Sequence, residues 1–205
     1  MIVGIVVVCI LLIGAFIKFA PSGDSTPARD LSLLVHEDSN MTGKIGAKVT
    51  LVEFADYQCP ACASLDPVIK AALAPYLTNP DFNYVYRNFP LSQHGNAVIS
   101  AEAANAAGAQ GKFWEMHALL YKNQTQWAES TSPIDLFVGY ARELSLDTVK
   151  FKADLDQHKF LAFVQADLKD AEDLVLTHTP TFFLNGIEIT ELAKLKEQID
   201  SALAK

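Results

Sequence analysis

Two thiols three positions apart dominate the chemistry available to this 205-residue chain: Cys59-Pro60-Ala61-Cys62. On the first turn of a helix such a spacing brings both sulfurs to one side, close enough to close a disulfide. A redox dithiol is what a CxxC pair supports when it follows a strand and opens a helix. Half of a structural zinc site is an alternative, but zinc needs two more ligands. No second CxxC or HxxxH is present, and His36, His94, His117, His158 and His178 are scattered. An inert pair of packed cysteines is a third reading, opposed by the proline and the loop mouth beside Cys59.

The flanking residues predict the elements that hold the pair. Val49 to Ala55 is short, apolar and β-branched, and reads as a buried strand. Asp56-Tyr57-Gln58 is a short connection. Pro60 suits the first helical position, and Leu65, Val68, Ile69 and Leu73 recur behind it at helical spacing. Cys59 then sits at a helix N-terminus, where unpaired N–H groups and the macrodipole favour a thiolate. Glu53 interrupts the apolar strand. A carboxylate there is costly unless neutral or partnered, and desolvation raises its pKa; at a sheet edge it would sit in water instead.

Composition narrows the function classes. The net charge is −8, with no basic run or face, which argues against a nucleic-acid partner. Half the residues are hydrophobic, ample for one domain with its own core. Of three cysteines, Cys9 lies in the leading apolar segment, so the rest of the chain has one local pair and no disulfide framework.

Residues 1–17 carry no charged side chain, and Lys18 and Pro21 follow closely. Twenty helical residues span about 30 Å, so residues 1–20 read as a transmembrane anchor. A cleaved signal peptide fits less well, lacking a basic n-region, and Cys9 lacks the small residues expected before a lipoprotein cysteine. Lys18 and Arg29 follow the segment, which by the positive-inside rule points the domain to the cytoplasm; dithiol oxidation points it outside, where disulfides persist. The redox argument is preferred, and an upstream start supplying basic residues would reconcile the two. Residues 21–30 read as a flexible linker, and 31–205 as the catalytic domain.

Beyond the motif helix, Phe82 to Pro90 reads as a second strand and about 94–176 as helical. The aromatic stripe around Trp114 is expected in the core, His117 packed or at the surface, and His94 near the active face. Asn185-Gly186 between apolar runs predicts a hairpin. A last helix through Leu192, Leu195, Ile199 and Leu203 is expected to be capped by Thr190 or Glu191.

Four separated stretches together resemble one family. Glu53 to Cys62, Tyr86-Arg87-Asn88-Phe89-Pro90-Leu91, Gly111 to His117, and Thr179 to Gly186 are similar to DsbA-like thiol–disulfide oxidoreductases with a thioredoxin_4-type domain, and the likeness runs from about Leu31 to Ala204. The resemblance implies an α/β thioredoxin fold with an inserted helical subdomain, here preceded by the transmembrane segment. It implies an exposed nucleophile at Cys59, a buried resolving Cys62, and Pro60 and Ala61 between them. It implies a cis Thr179–Pro180 bond against the dithiol, with Thr179 pairing to an extended substrate, and a proton-transfer role for Glu53. An X–Pro bond keeps a cis form at small cost; the alternative is a strand-initiating proline.

The activity so implied is dithiol oxidation of reduced exported proteins by a monomer, with no cofactor beyond the Cys59–Cys62 disulfide and no metal. A DsbB-like membrane thiol oxidase is the implied re-oxidant. Pro60-Ala61 departs from the Pro-His of the strongest oxidants, which points to a less oxidising pair; Asp56 would act likewise if aimed at the sulfur. Reductase or isomerase action, or a metal-handling thioredoxin-like module, are the alternatives.

Overall fold

The computed structural model describes residues 28–205. The expected anchor over 1–20 and most of the linker over 21–30 lie outside the described residues. Among the described residues no helix is long and apolar enough to cross a membrane.

A short helix α1 (Leu31–Leu34) precedes β1 (Asn40–Met41) and β2 (Val49–Ala55). Helix α2 (Pro60–Leu73) then carries the chain to β3 (Phe82–Asn88). Six helices follow before the sheet resumes: α3 (Ala97–Gly108), α4 (Phe113–Lys122), α5 (Gln124–Trp127), α6 (Pro133–Glu143), α7 (Thr148–Asp156) and α8 (Leu161–Asp173). The hairpin β4 (Thr181–Leu184) and β5 (Ile187–Glu188) and helix α9 (Leu195–Ala204) close the fold. The five strands run in the order β1-β3-β2-β4-β5. β2 and β3 are parallel, as a helical crossover requires, and the other pairings are antiparallel. This is a thioredoxin fold with a helical insertion.

β2 lies at the centre and is buried throughout. Its side chains alternate between two faces. Val49 and Leu51 pack with Ile69, Leu73 and Ile199 beneath α2 and α9, while Val52 and Phe54 pack with Leu34, Ala171 and Leu174 on the other face. Glu53, two residues beyond Leu51, therefore shares the face covered by α2. A third core joins the inserted helices to Tyr57, Tyr86 and the two cysteines.

The Asn185-Gly186 turn forms as expected, both residues having positive φ (49° and 84°). Asn185 also docks the hairpin onto β2, its Oδ1 accepting the Thr50 N–H at 2.8 Å.

Two expectations are corrected. Val68 is 60 % exposed: the buried stripe of α2 runs through Cys62, Ile69 and Leu73, and Val68 lies a step of about 100° away from Ile69. The terminal helix begins only at Leu195, with Lys194 at its N-cap. Leu192–Lys194 first make a 3₁₀ turn in which Lys194 N–H donates to the Glu191 carbonyl at 3.0 Å, so Glu191 stands at the N-cap of that turn, without a side-chain hydrogen bond, and not of the α-helix.

Candidate active site

Cys59 is the N-cap of α2, and Pro60 occupies the first turn, where its missing N–H costs nothing. The turn before it is tight: Cys59 N–H donates to the Asp56 carbonyl at 3.1 Å, and Gln58 N–H to Asp56 Oδ1 at 2.7 Å. Both thiols are free. Pro60 and Ala61 are exposed and form the solvent side of the pair.

Cys59 is not the exposed residue expected from the sequence. It is 7 % exposed, against 1 % for Cys62. The reason is the loop before β4. The Thr179–Pro180 bond is cis, and the Thr179 carbonyl lies 3.7 Å from Cys59 Sγ. The Thr179 hydroxyl is buried without a hydrogen-bond partner. Residues 120 positions apart in the chain thus meet at the sulfur.

The two thiols are electrostatically unequal. Cys59 is pulled down to about 5, first by the hydrogen bond from the Cys62 thiol, then by the Thr179 contact and the backbone N–H groups of Cys62 and Ala61, against the opposing cost of burial. Cys62 is pushed far up, first by the same hydrogen bond and then by burial. One thiolate at neutral pH is therefore carried by Cys59.

Glu53 is 6 % exposed, in the central strand and not at an edge. Burial pushes its carboxyl up to about 7, partly offset by the hydrogen bond donated by the Tyr84 hydroxyl. Its charge bears on Cys62, whose thiol it helps to keep protonated. Tyr84 lines a cavity of about 390 Å³ together with Asp66, Lys70, Trp114 and His117. Trp114 is half-buried, not fully within the core, and stacks on Tyr84 with ring centroids 5.3 Å apart.

His117 is packed, as one of the two sequence readings had it, but within a polar network. Burial pushes its imidazole below the ordinary value. As a neutral ring it donates from Nε2 to Asp66 Oδ1 and accepts at Nδ1 from the Tyr57 hydroxyl, both at 3.1 Å. Asp66 is pushed up by burial, yet hydrogen bonds from His117 and Lys70 hold it below its ordinary value.

Asp56 does not aim at the sulfur. Its carboxylate accepts from the Gln58 and Leu91 N–H groups and lies 2.6 Å from His94 Nδ1. His94 thus ties the loop after β3 to the turn from Asp56 to Cys59. Gln124 has no periodic or motif signal in the sequence, yet its Nε2 donates to the carbonyls of Tyr57 at 2.7 Å and Cys59 at 3.0 Å. Among the described residues, no group of three or more His, Cys, Asp or Glu is arranged to hold a metal ion.

Comparison with known proteins agrees with this fold. The family model Thioredoxin_4, described as thioredoxin, matches residues 36–203. Oxidised BdbD from Bacillus subtilis is similar at a TM-score of 0.73 and 22 % identity, covering 87 % of this chain and 97 % of that one. A thioredoxin-like oxidoreductase from Silicibacter pomeroyi is similar at a TM-score of 0.67 and 26 % identity, covering 87 % and 99 %. Among curated relatives, the Na(+)/H(+) antiporter NhaA 1 of Salinispora arenicola is 39 % identical over 159 residues, 77 % of this chain and 23 % of the antiporter. The chain spans less than a quarter of the length of that relative, so the likeness concerns a domain-sized segment. The chain belongs to the Thioredoxin_4 family and shares the fold of BdbD.

Proposed function

We propose that the protein is a dithiol oxidase that introduces disulfides into exported proteins through a Cys59–Cys62 disulfide. The observation that carries this reading is the inequality of the thiols: Cys59 titrates at about 5 while Cys62 stays protonated. A well-stabilised Cys59 thiolate is a good leaving group and favours the reduced form, which makes the pair oxidising.

In the forward reaction a substrate thiolate attacks the Cys59 sulfur of the disulfide. A substrate–Cys59 bond forms, the Cys59–Cys62 bond breaks, and Cys62 leaves with the electron pair. Glu53 in its acid form protonates that thiolate, giving the Cys62 thiol and the Glu53 carboxylate. A second substrate thiolate then attacks the substrate sulfur of the mixed disulfide and expels Cys59 as its thiolate. The substrate gains a disulfide and the protein is left as the dithiol. The backbone of Thr179 beside Pro180 would hold the substrate segment in extended form, over the exposed Pro60-Ala61. A membrane thiol oxidase of the DsbB-like kind would return the electrons to a downstream acceptor, and residues 1–20 would tether the domain on the extracytoplasmic side as a monomer.

The test is the equilibrium of the pair with glutathione. A potential well above the ~−270 mV of thioredoxin, toward the ~−120 mV of the strongest oxidants, is expected. A potential at or below the thioredoxin value would make the protein a reductase.

Glu53→Gln separates function from stability. The amide cannot deliver a proton, so oxidation of a reduced peptide is expected to slow about a hundredfold, the low end for a positioned proton donor, and the rate profile to lose its inflection near pH 7. Stability moves the other way. The folded carboxyl titrates above its unfolded value, so its cost is absent below about pH 4.5 and complete above about pH 7. At pH 8 the variant is expected to gain up to about 3 kcal/mol in urea unfolding. Unchanged kinetics would remove Glu53 from the mechanism.

A further inference from the structure

We infer that Gln124 is a positioning residue for the redox turn, through which the inserted helices set how oxidising the cysteine pair is. The inference rests on the oxidoreductase reading above. The turn from Asp56 to Cys59 is closed on its inner side by Asp56, and the outward carbonyls of Tyr57 and Cys59 are left facing the inserted helices. Both are taken by one amide nitrogen, Gln124 Nε2.

The clamp is reciprocal. Gln58, between those two carbonyls, donates from Nε2 to the Ala128 carbonyl at 2.7 Å and accepts the Asn96 N–H at 2.6 Å. Asn96 in turn donates to the carbonyls of Trp127, Ala128 and Ser130 at 2.9–3.0 Å. The buried Trp127 anchors the segment, its Nε1 donating to the Leu120 carbonyl at 2.9 Å. Gln124 itself is buried. The redox turn is thus held in a polar socket made by residues 124–130 and Asn96.

The electrostatic consequence is direct. The carbonyl dipoles of Tyr57 and Cys59 lie in the turn that carries the sulfur, and their negative ends disfavour a thiolate on that turn unless hydrogen-bond donors offset them. Gln124 supplies that donor and fixes the turn, so that the N–H groups of Ala61 and Cys62 meet the sulfur. Without it, the buried Tyr57 carbonyl loses its partner and the Cys59 carbonyl keeps only the Ala63 N–H at 3.1 Å, and the reduced form loses part of its advantage.

Gln124→Met keeps the side-chain length and removes the donor. In the 205-residue chain, its equilibrium constant with glutathione is expected to shift about tenfold, or about 30 mV, toward a less oxidising pair. Asn123→Ala breaks a neighbouring bond of the same segment, from Asn123 Nδ2 to the Leu119 carbonyl at 2.9 Å, and is expected to leave the constant unchanged. Should Gln124→Met fail to fold, Gln124→Asn, which draws the amide back by one methylene, carries the same test. If the unsubstituted chain forms no disulfide with glutathione, the oxidoreductase reading itself falls. If it does, and the Gln124 variant keeps the constant or Asn123→Ala moves it equally, only the clamp falls.

Discussion

Cys59→Ser is expected to abolish oxidation of a dithiol peptide, and the reduced chain is expected to be more stable than the oxidised chain at pH 7. The first result follows because a serine hydroxyl neither forms a disulfide nor ionises in this range. The second is a linkage argument. In the folded dithiol Cys59 titrates at about 5, far below the ~8.5 of an unfolded cysteine. A group with a depressed folded pKa contributes stability that is full above its unfolded value and vanishes as pH falls through the folded one. The oxidised chain has no thiol there and gains nothing from it. Cys62 acts oppositely: held protonated in the fold, it penalises the folded dithiol once the unfolded thiol ionises, above about pH 8.5. The advantage of the reduced form should therefore grow from about pH 5, peak near the ~8.5 of an unfolded thiol and decline above it. Urea unfolding of both forms from pH 4 to 9 checks this. An oxidised chain that is the more stable at pH 7 would mean that the thiolate is not held as the geometry implies. Either way the measurement reads, independently of any substrate, what folding adds to the redox driving force, because the stability difference equals the change in reduction free energy between the unfolded and the folded pair.

Arg87→Met is expected to cost about 3–5 kcal/mol, the range for stranding one member of a buried ion pair, and to lower Tm by roughly 10 °C. Arg87 on β3 is fully buried. Its Nε donates to Asp167 Oδ1 at 2.6 Å, its Nη1 to the Leu34 carbonyl at 2.8 Å, and its Nη2 pairs with Asp170. The guanidinium also lies over the Phe54 ring, 5.3 Å from its centroid. One side chain thus joins α1, the sheet and α8. Burial pushes the Asp167 carboxyl up even with Arg87 present, whose charge and hydrogen bond oppose the rise. With Arg87 gone that rise is unopposed, so the penalty should shrink as pH falls and Asp167 takes up a proton. Arg87→Met combined with Asp167→Asn is expected to recover much of the loss. The amide carries no charge and still accepts the Asn88 N–H that Asp167 Oδ2 now takes at 2.8 Å. Thermal unfolding of both variants at pH 5 and pH 8 tests all three statements. A single variant within 1 kcal/mol of the parent, about the value of an exposed pair, would show that the pair is solvated in practice.

These two sites divide by how their parts are spaced in the chain. The strand β2, the start of α2 at Pro60, the Asn185-Gly186 hairpin and the CxxC pair are local. Each is written in a short run of residues through apolar period, a cap or a turn conformation, and each was legible from the amino-acid order alone. The cis bond at Pro180 was legible only through family resemblance. What folding decided is the polar wiring. Arg87 meets Asp167 across 80 positions, His94 meets Asp56 across 38, and Gln124 meets Cys59 across 65. No period or turn residue announces such pairs, because they are set by which buried backbone groups and charges the topology leaves in need of partners. The same reason explains the burial of Cys59. Its helix N-terminus could be read locally, but the Thr179 carbonyl over its sulfur arrives from the far end of the chain. The cysteine pair and its strand–helix frame were thus determined by the sequence itself; how covered, how acidic and how firmly held that pair is was decided by the tertiary structure, because desolvation and hydrogen bonding at one sulfur depend on residues that only folding brings together.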